Sequence, residues 1–349
     1  MMCAKLLKNS GPKHILVVSQ TNIGDVVLTC PVIDILKRDF PRAQMDVVVG
    51  PKAVSLFLDN PNFGIKVFDK QVPLSQKAAW FSDLYNTHYD CVVDLRRTGL
   101  ALFLRPRYST PISEVSWQTL LLGAKPSVPM GGRHKKDMHL NRLRQVYDFD
   151  SFSEKQYAIL TTAEDEKFFE GAIAPALRGQ DFIVIAPGAA DSSKRWHLQG
   201  FAAVADHLSA TKKIVFVGDA KDAGIVDDIQ GRMKSAAISL AGKINLRQLS
   251  FTLKKCAWAL THDSGVMHLA SYFNVPLLVL WGPTDLNRYA PWSQKSFILR
   301  RNEKCARCQD PKSKTVHNCM SFIEVDDVLN AVKKDMIPSP LWGGLGRGV

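Results

Sequence analysis

No apolar run in this 349-residue sequence reaches the roughly 20 residues that a helix needs to cross a bilayer. The early apolar stretch Ile15–Val18 is too short for the core of a secretory signal, so we expect a cytoplasmic chain. Cysteine is sparse and odd in number, seven in all, which fits a reducing compartment better than a disulfide framework. There is no heptad pattern, short-period repeat or low-complexity tract. GxGxxG follows the first strand of neither half, and GxxxxGK[ST] is absent. These two absences count against a dinucleotide dehydrogenase and a P-loop enzyme.

What remains describes a globular protein. Hydrophobic residues make up 46% and charged residues 22%. The length allows two domains. A formal net charge of +12 points to an anionic partner. A nucleic acid, a phosphorylated small molecule and an anionic membrane surface all satisfy that charge.

Apolar runs alternate with helical periodicity along most of the chain. Lys13–Val18, Asp46–Gly50, Ile65–Phe68 and Asp90–Leu95 read as strands, and a helix begins near Val26 with Pro31 early in it. Residues 105–150 are less regular, and their basic run 131–144 reads as a solvated face. A second βα series starts at Phe182–Ala186 and continues through Ile214–Val217, Leu240–Gly242 and Phe297–Leu299. Residues 259–285 form its clearest unit: strand, Thr261-His262-Asp263-Ser264-Gly265 turn, helix, Pro276, strand, and the turn Trp281-Gly282-Pro283-Thr284-Asp285. Alternating β and α segments predict parallel sheets, whose ligands bind at the carboxyl ends of the strands.

Several groups fall at those ends. Asp25 opens a helix; it is either a carboxylate stabilised by the helix dipole or a general base. The loop Pro187-Gly188-Ala189 to Ser193-Lys194-Arg195-Trp196 is either a solvated loop or a diphosphate clamp of backbone donors and cations. Asp263, Ser264, Gly265 and His268 form either a capped helix start with a core histidine or a phosphate and sugar subsite. Asp219 and Asp222 are surface carboxylates or ribose contacts. Asp148-Phe149-Asp150 follows no strand, and we read it as structural. Cys305, Cys308, His317 and Cys319 have the donor types of a Cys₃His zinc site. Free thiols in a packed loop, or a conditional disulfide, are the other readings. The reading adopted has no metal and no cofactor, with these four as the alternative zinc set.

The ordered set resembles glycosyltransferase family 9, the lipopolysaccharide heptosyltransferases. It comprises Asn22-Ile23-Gly24-Asp25 through Pro31, Asp94-Leu95-Arg96, Pro187-Gly188-Ala189, Ser193-Lys194-Arg195-Trp196, His262-Asp263-Ser264-Gly265 with His268-Leu269-Ala270, and Trp281 to Asp285. One departure is the stretch Gln309-Asp310-Pro311-Lys312, where relatives of heptosyltransferase II often have a further cysteine.

The resemblance implies an α/β GT-B fold, with two Rossmann-like domains whose parallel sheets face an interdomain cleft. The expected parts are an acceptor-binding domain at 1–160, a linker at 161–180 and a nucleotide-sugar-binding domain at 181–322. A helix at 323–337, of the kind that commonly returns to the N-terminal domain, and a disordered tail at 338–349 complete the chain. The implied reaction is metal-free, inverting transfer of heptose from ADP-L-glycero-D-manno-heptose to the lipopolysaccharide inner core. Asp25 matches the base. Lys194, Asp222, Asp263, Ser264, Gly265, His268, Gly188 and Ala189 match donor contacts. Arg96, Arg97, Arg133, Lys135 and Lys136 suit a phosphorylated, acidic acceptor. The implied location is peripheral, on the inner face of the cytoplasmic membrane against its anionic surface, with no nucleic-acid partner. A same-fold transferase using another nucleotide sugar or acceptor, and a non-catalytic nucleotide- or nucleic-acid-binding protein, are the rival readings.

Overall fold

Runs of aliphatic residues with no polar alternation build both sheets, because parallel strands are covered on both faces. The computed structural model describes residues 11–111, 134–151, 153, 155–310 and 313–333. In β1 (His14–Val18), Ile15 to Val18 are at most 1% exposed. β6 (Phe182–Ala186), β9 (Trp258–His262) and β10 (Leu277–Trp281) are buried throughout. Each fully buried Val, Leu or Ile contributes about 1.5–3 kcal/mol.

The chain divides into two compact units, residues 1–160 and 161–349. The first holds β1, β2 (Gln44–Val49), β3 (Gly64–Val67), β4 (Cys91–Asp94) and β5 (Tyr108–Ser109). They form a five-stranded parallel sheet in the order β3-β2-β1-β4-β5. The second holds β6, β7 (Lys213–Phe216), β8 (Ile238–Ser239), β9, β10 and β11 (Ser296–Arg300). Its six-stranded parallel sheet runs β11-β10-β9-β6-β7-β8. Strand order reverses between β1 and β4 in the first sheet and between β6 and β9 in the second. Such switch points open a crevice at the carboxyl ends of the strands.

The helix after β1 spans Ile23–Asp39, so it starts earlier than its apolar periodicity suggested, and Pro31 lies in its interior. Burial of Val26 to Cys30 and Val32 to Leu36 outweighs the hydrogen bond that proline removes. Asp34 on this helix accepts from the backbone N–H groups of Tyr157 and Ala158 at 2.7 and 2.8 Å, fastening the end of the first unit to its core.

Residues 161–180, expected as a linker, form the helices Ala163–Ala172 and Ala174–Leu177 within the second unit. Thr162 and Asp165 make a reciprocal cap. Asp165 also pairs with buried Arg247 at 2.9 Å, locking this segment to the helix Leu246–Lys255. The helix Val325–Lys333 packs on the helix Leu198–Leu208, and Ile323, Val328 and Ala331 join the second unit's own core. Its apolar face is thus used within that unit. Leu240–Gly242, read as strand, lies just past β8. The N-terminal ten residues and the expected tail at 338–349 lie outside the described residues.

Candidate active site

At the second unit's switch point, the loop after β6 meets the turn after β9. Lys194 Nζ lies 2.7 Å from Asp263 Oδ2. The Lys194 side chain retains 27% exposure, whereas that of Asp263 retains 7%. His268 Nε2 lies 3.8 Å from the other Asp263 oxygen, and the His268 ring stacks on Trp292 at 5.9 Å. His262 Nε2 accepts from the Trp196 backbone N–H at 3.0 Å. Complete burial pushes the His262 imidazole down to about 3, which keeps it neutral and fit for that acceptor role.

Ser264 precedes the helix Gly265–Tyr272 but supplies no side-chain cap; its hydroxyl lies 3.2 Å from Thr261 Oγ1. Elsewhere in the same unit, Asn245 and Thr162 cap their helices with full reciprocal boxes. The Gly265 helix therefore leaves its first N–H groups without side-chain acceptors, at its positive end and beside a lysine. This arrangement suits a diphosphate.

Gly188 and Ala189 are buried just past β6. A Cβ on Gly188 would stand 2.2 Å from Asp222 Cγ, so only glycine lets this loop approach the Asp222 carboxylate. Asp222 accepts from the Asp219 N–H at 3.1 Å, and burial raises its pKa from the ordinary aspartate value. Arg195, beside them, donates to the Ala189 carbonyl at 2.9 Å.

Asp25 sits in the first turn of the helix after β1, 3.4 Å from Asn22 Nδ2. At the neighbouring strand end, buried Asp94 gathers the backbone N–H groups of Arg96, Thr98 and Gly99 at 2.7–3.1 Å. Arg97 and Gly99 adopt left-handed backbone, with φ of 62° and 80°. Arg96 is partly exposed and Arg97 fully so.

Lys135 and Lys136 begin the helix Lys135–Arg144, capped by His134, and Lys136 lies 3.4 Å from Asp137. Arg142, in the run read as a solvated face, is instead 5% exposed. It donates to the carbonyls of Asp94 and Pro111 at 2.6 and 2.7 Å, so its burial is set by acceptors distant in sequence. Burial, then the positive charges of Lys135, Arg142 and Arg97, depress buried His139 to about 3. Those cations share one electropositive region. Arg133 lies outside the described residues.

Asp148 and Asp150 are exposed around buried Phe149, over which the Arg144 guanidinium sits at 4.5 Å. Cys30, Cys91 and Cys256 are buried and in no disulfide. Cys305, Cys308, His317 and Cys319 converge, with all four ligand atoms within 4.8 Å of one another. The stacking of Trp292 on His268 was not signalled by the sequence, since Trp292 lies in a stretch without periodicity. An open depression of about 430 Å³ lies at the amino ends of β1, β2 and β3, lined by His14, Lys37, Gln44 and Gly64. It is at the wrong end of the sheet for a switch-point ligand.

Two parallel Rossmann-like units, one with a lysine beside a helix N-terminus at its switch point, are the parts of a GT-B fold. The sequence pattern of glycosyltransferase family 9 (heptosyltransferase) matches residues 118–318, more than half of the chain, and the chain belongs to that family. It is similar to lipopolysaccharide heptosyltransferase 3 of Escherichia coli, 28% identical over 341 residues that cover 92% of this chain and 98% of that protein. Its fold matches a family 9 glycosyl transferase from Veillonella parvula with a TM-score of 0.75 at 23% identity, covering 94% of this chain and 98% of that one. The Escherichia coli heptosyltransferase WaaC with ADP-2-deoxy-2-fluoro heptose matches with a TM-score of 0.68 at 15% identity, over 92% and 99% of the two chains.

Proposed function

We propose that this glycosyltransferase moves a heptose from ADP-heptose to the inner core of lipopolysaccharide, with inversion at the anomeric carbon. The observation that carries the donor half is Lys194 paired with Asp263 at the uncapped start of the Gly265–Tyr272 helix. A diphosphate seated there meets the ammonium and several backbone N–H groups together. As the glycosidic bond to the nucleotide breaks, negative charge grows on the departing phosphate oxygen, and these groups stabilise it. On this reading Asp263 and His268 meet hydroxyls of the sugar, and Asp222 those of the ribose. The names of the curated relative and of the WaaC complex support heptose and ADP.

The first unit binds the acceptor and supplies the base. Asp25 takes the proton of the acceptor hydroxyl, whose oxygen then attacks the anomeric carbon. Arg96, Arg97, Lys135 and Lys136, which solvent reaches, suit phosphates and sugar acids on a lipid-linked core. No helix among the described residues is long and apolar enough to cross a membrane. We place the enzyme peripherally at the inner face of the cytoplasmic membrane, where basic residues meet anionic lipid.

The test is transfer from ADP-heptose to a heptose-deficient core acceptor, for the wild type and Asp25→Asn. We expect turnover to fall by about 10²–10⁴-fold in the variant, the usual contribution of a positioned base, with ADP affinity unchanged. Wild-type turnover in the variant would remove Asp25 as the base. No transfer by the wild type, with tight binding of a different nucleotide sugar, would overturn the heptose assignment.

A further inference from the structure

Four side chains that the transfer reaction leaves idle meet in the segment between β11 and the Val325–Lys333 helix. Cys305 and Cys319 are completely buried there, while Cys308 and His317 are partly exposed. The turn Cys305–Cys308 is closed by the Cys308 N–H on the Cys305 carbonyl at 3.0 Å. That closure brings both sulfurs to one side. His317 Nδ1 lies 3.4 Å from Cys308 Sγ, and all four ligand atoms fit within 4.8 Å.

Tetrahedral bonds of about 2.3 Å to sulfur and about 2.0–2.1 Å to nitrogen require ligand atoms about 3.5–3.8 Å apart. The observed cluster meets that requirement after shifts of an ångström or less. We propose that Cys305, Cys308, His317 and Cys319 form a closed Cys₃His site for one structural zinc ion.

A disulfide accounts for the cluster less well. It would consume two sulfurs and leave the third and the imidazole without a purpose. Zinc employs all four donors, and mixed thiolate and imidazole ligands suit it. The surroundings are those of a thiolate site. Asn302 Nδ2 approaches Cys308 Sγ at 3.7 Å, and backbone N–H groups of Asn318 and Cys308 face Cys305. Such donors orient and moderate thiolate ligands. Four protein ligands leave no open position, so the ion serves the fold.

The need for it is local. Only single helical turns organise this segment, at Asn302–Lys304, Ala306–Gln309 and Cys319–Phe322. One end holds the turn after β10, where Asn302 donates to the Gly282 carbonyl at 3.0 Å, and the other supports the donor loop, where the Ile323 carbonyl accepts from Trp196 Nε1 at 2.8 Å. A metal clamp there would hold Trp196, and with it the loop that carries Lys194. The ion itself does not depend on which sugar is transferred.

The test is metal analysis of the full chain, purified without a metal-chelating tag, by inductively coupled plasma mass spectrometry. One equivalent of zinc per chain is expected in the wild type and in Cys256→Ser, whose thiol lies outside the cluster. Cys308→Ser and His317→Ala are expected to lose it. Because those variants risk misfolding, the wild type alone supplies a second readout. Apo protein given cobalt(II) should show the intense visible bands of a tetrahedral ion and sulfur-to-cobalt charge transfer. Protein that holds no zinc and gives no such spectrum would overturn the proposal. One equivalent of iron in place of zinc would overturn the assignment of the ion.

Discussion

Replacing Lys194 with alanine separates the two duties of its ammonium. In the free enzyme that group lies 2.7 Å from Asp263 Oδ2, with 27% of its side chain still open to solvent. With donor bound, it must also meet a phosphate oxygen. A hydrogen bond to a charged partner is worth about 1.5–3 kcal/mol, and each 1.4 kcal/mol is tenfold in affinity. Lys194→Ala should therefore weaken ADP binding roughly 10- to 150-fold. It also leaves Asp263 without its cation. We expect about 1–3 kcal/mol of lost stability, below the roughly 3–5 kcal/mol of a fully buried pair, because water reaches the vacated position. Asp263→Asn makes the opposite prediction for ADP. It removes a negative charge near the phosphates and releases the ammonium, a gain of about 1 kcal/mol or roughly fivefold. Transfer should nonetheless slow, since the sugar hydroxyls exchange a charged acceptor for a weaker neutral one. Calorimetric titration of ADP into the wild type, both single variants and the double variant gives the coupling directly. A folded Lys194→Ala protein that binds ADP within about twofold of the wild type would refute the clamp, since the weakest charged hydrogen bond considered exceeds that change.

Two further predictions concern the scaffold. Arg247→Ala should cost about 3–5 kcal/mol in urea unfolding, because it leaves the Asp165 carboxylate buried and unpaired; a loss under about 1 kcal/mol would show that the pair does not lock 161–172 to the second unit. His262 stays neutral in the folded protein down to about 3, so the unfolded chain binds more protons between about pH 6.5 and 3. Its share of stability is complete above that window and falls by up to about 1.4 kcal/mol per pH unit as acid is added. His262→Gln should flatten this slope, and parallel slopes for variant and wild type would contradict the assignment.

Sequence revealed most where burial is symmetric. Strands covered on both faces are apolar over most of their length, so β1, β6, β9 and β10 stood out as apolar runs, with polar residues only at ends such as His14, Thr261 and His262. Their carboxyl-end turns could then be placed without coordinates. The two-residue strand β5 gave no such signal, since Tyr108 follows Arg105 and Arg107 and no run can form. Arg142 was misread for a related reason. Its charge follows the local composition, but its burial follows from the carbonyls of Asp94 and Pro111, which only the fold brings near.

The same distinction governs the active site. Motif by motif, Asp263 read equally well as a helix-start carboxylate, and Lys194 as a loop cation. What separates the readings is their convergence across 69 residues of chain, which depends on β6 and β9 being neighbours. That adjacency is a property of strand order, and no local pattern encodes strand order. Once the order is known, the chemistry follows from position. The two loops meet at the one place in this sheet where consecutive crossovers diverge. The helix that starts there receives no side-chain cap from Ser264, the residue that precedes it. A helix start that served only the fold would gain about 1 kcal/mol from a cap of the kind Asn245 provides in the same unit. Forgoing it beside a lysine makes sense where an anionic ligand supplies the acceptors instead.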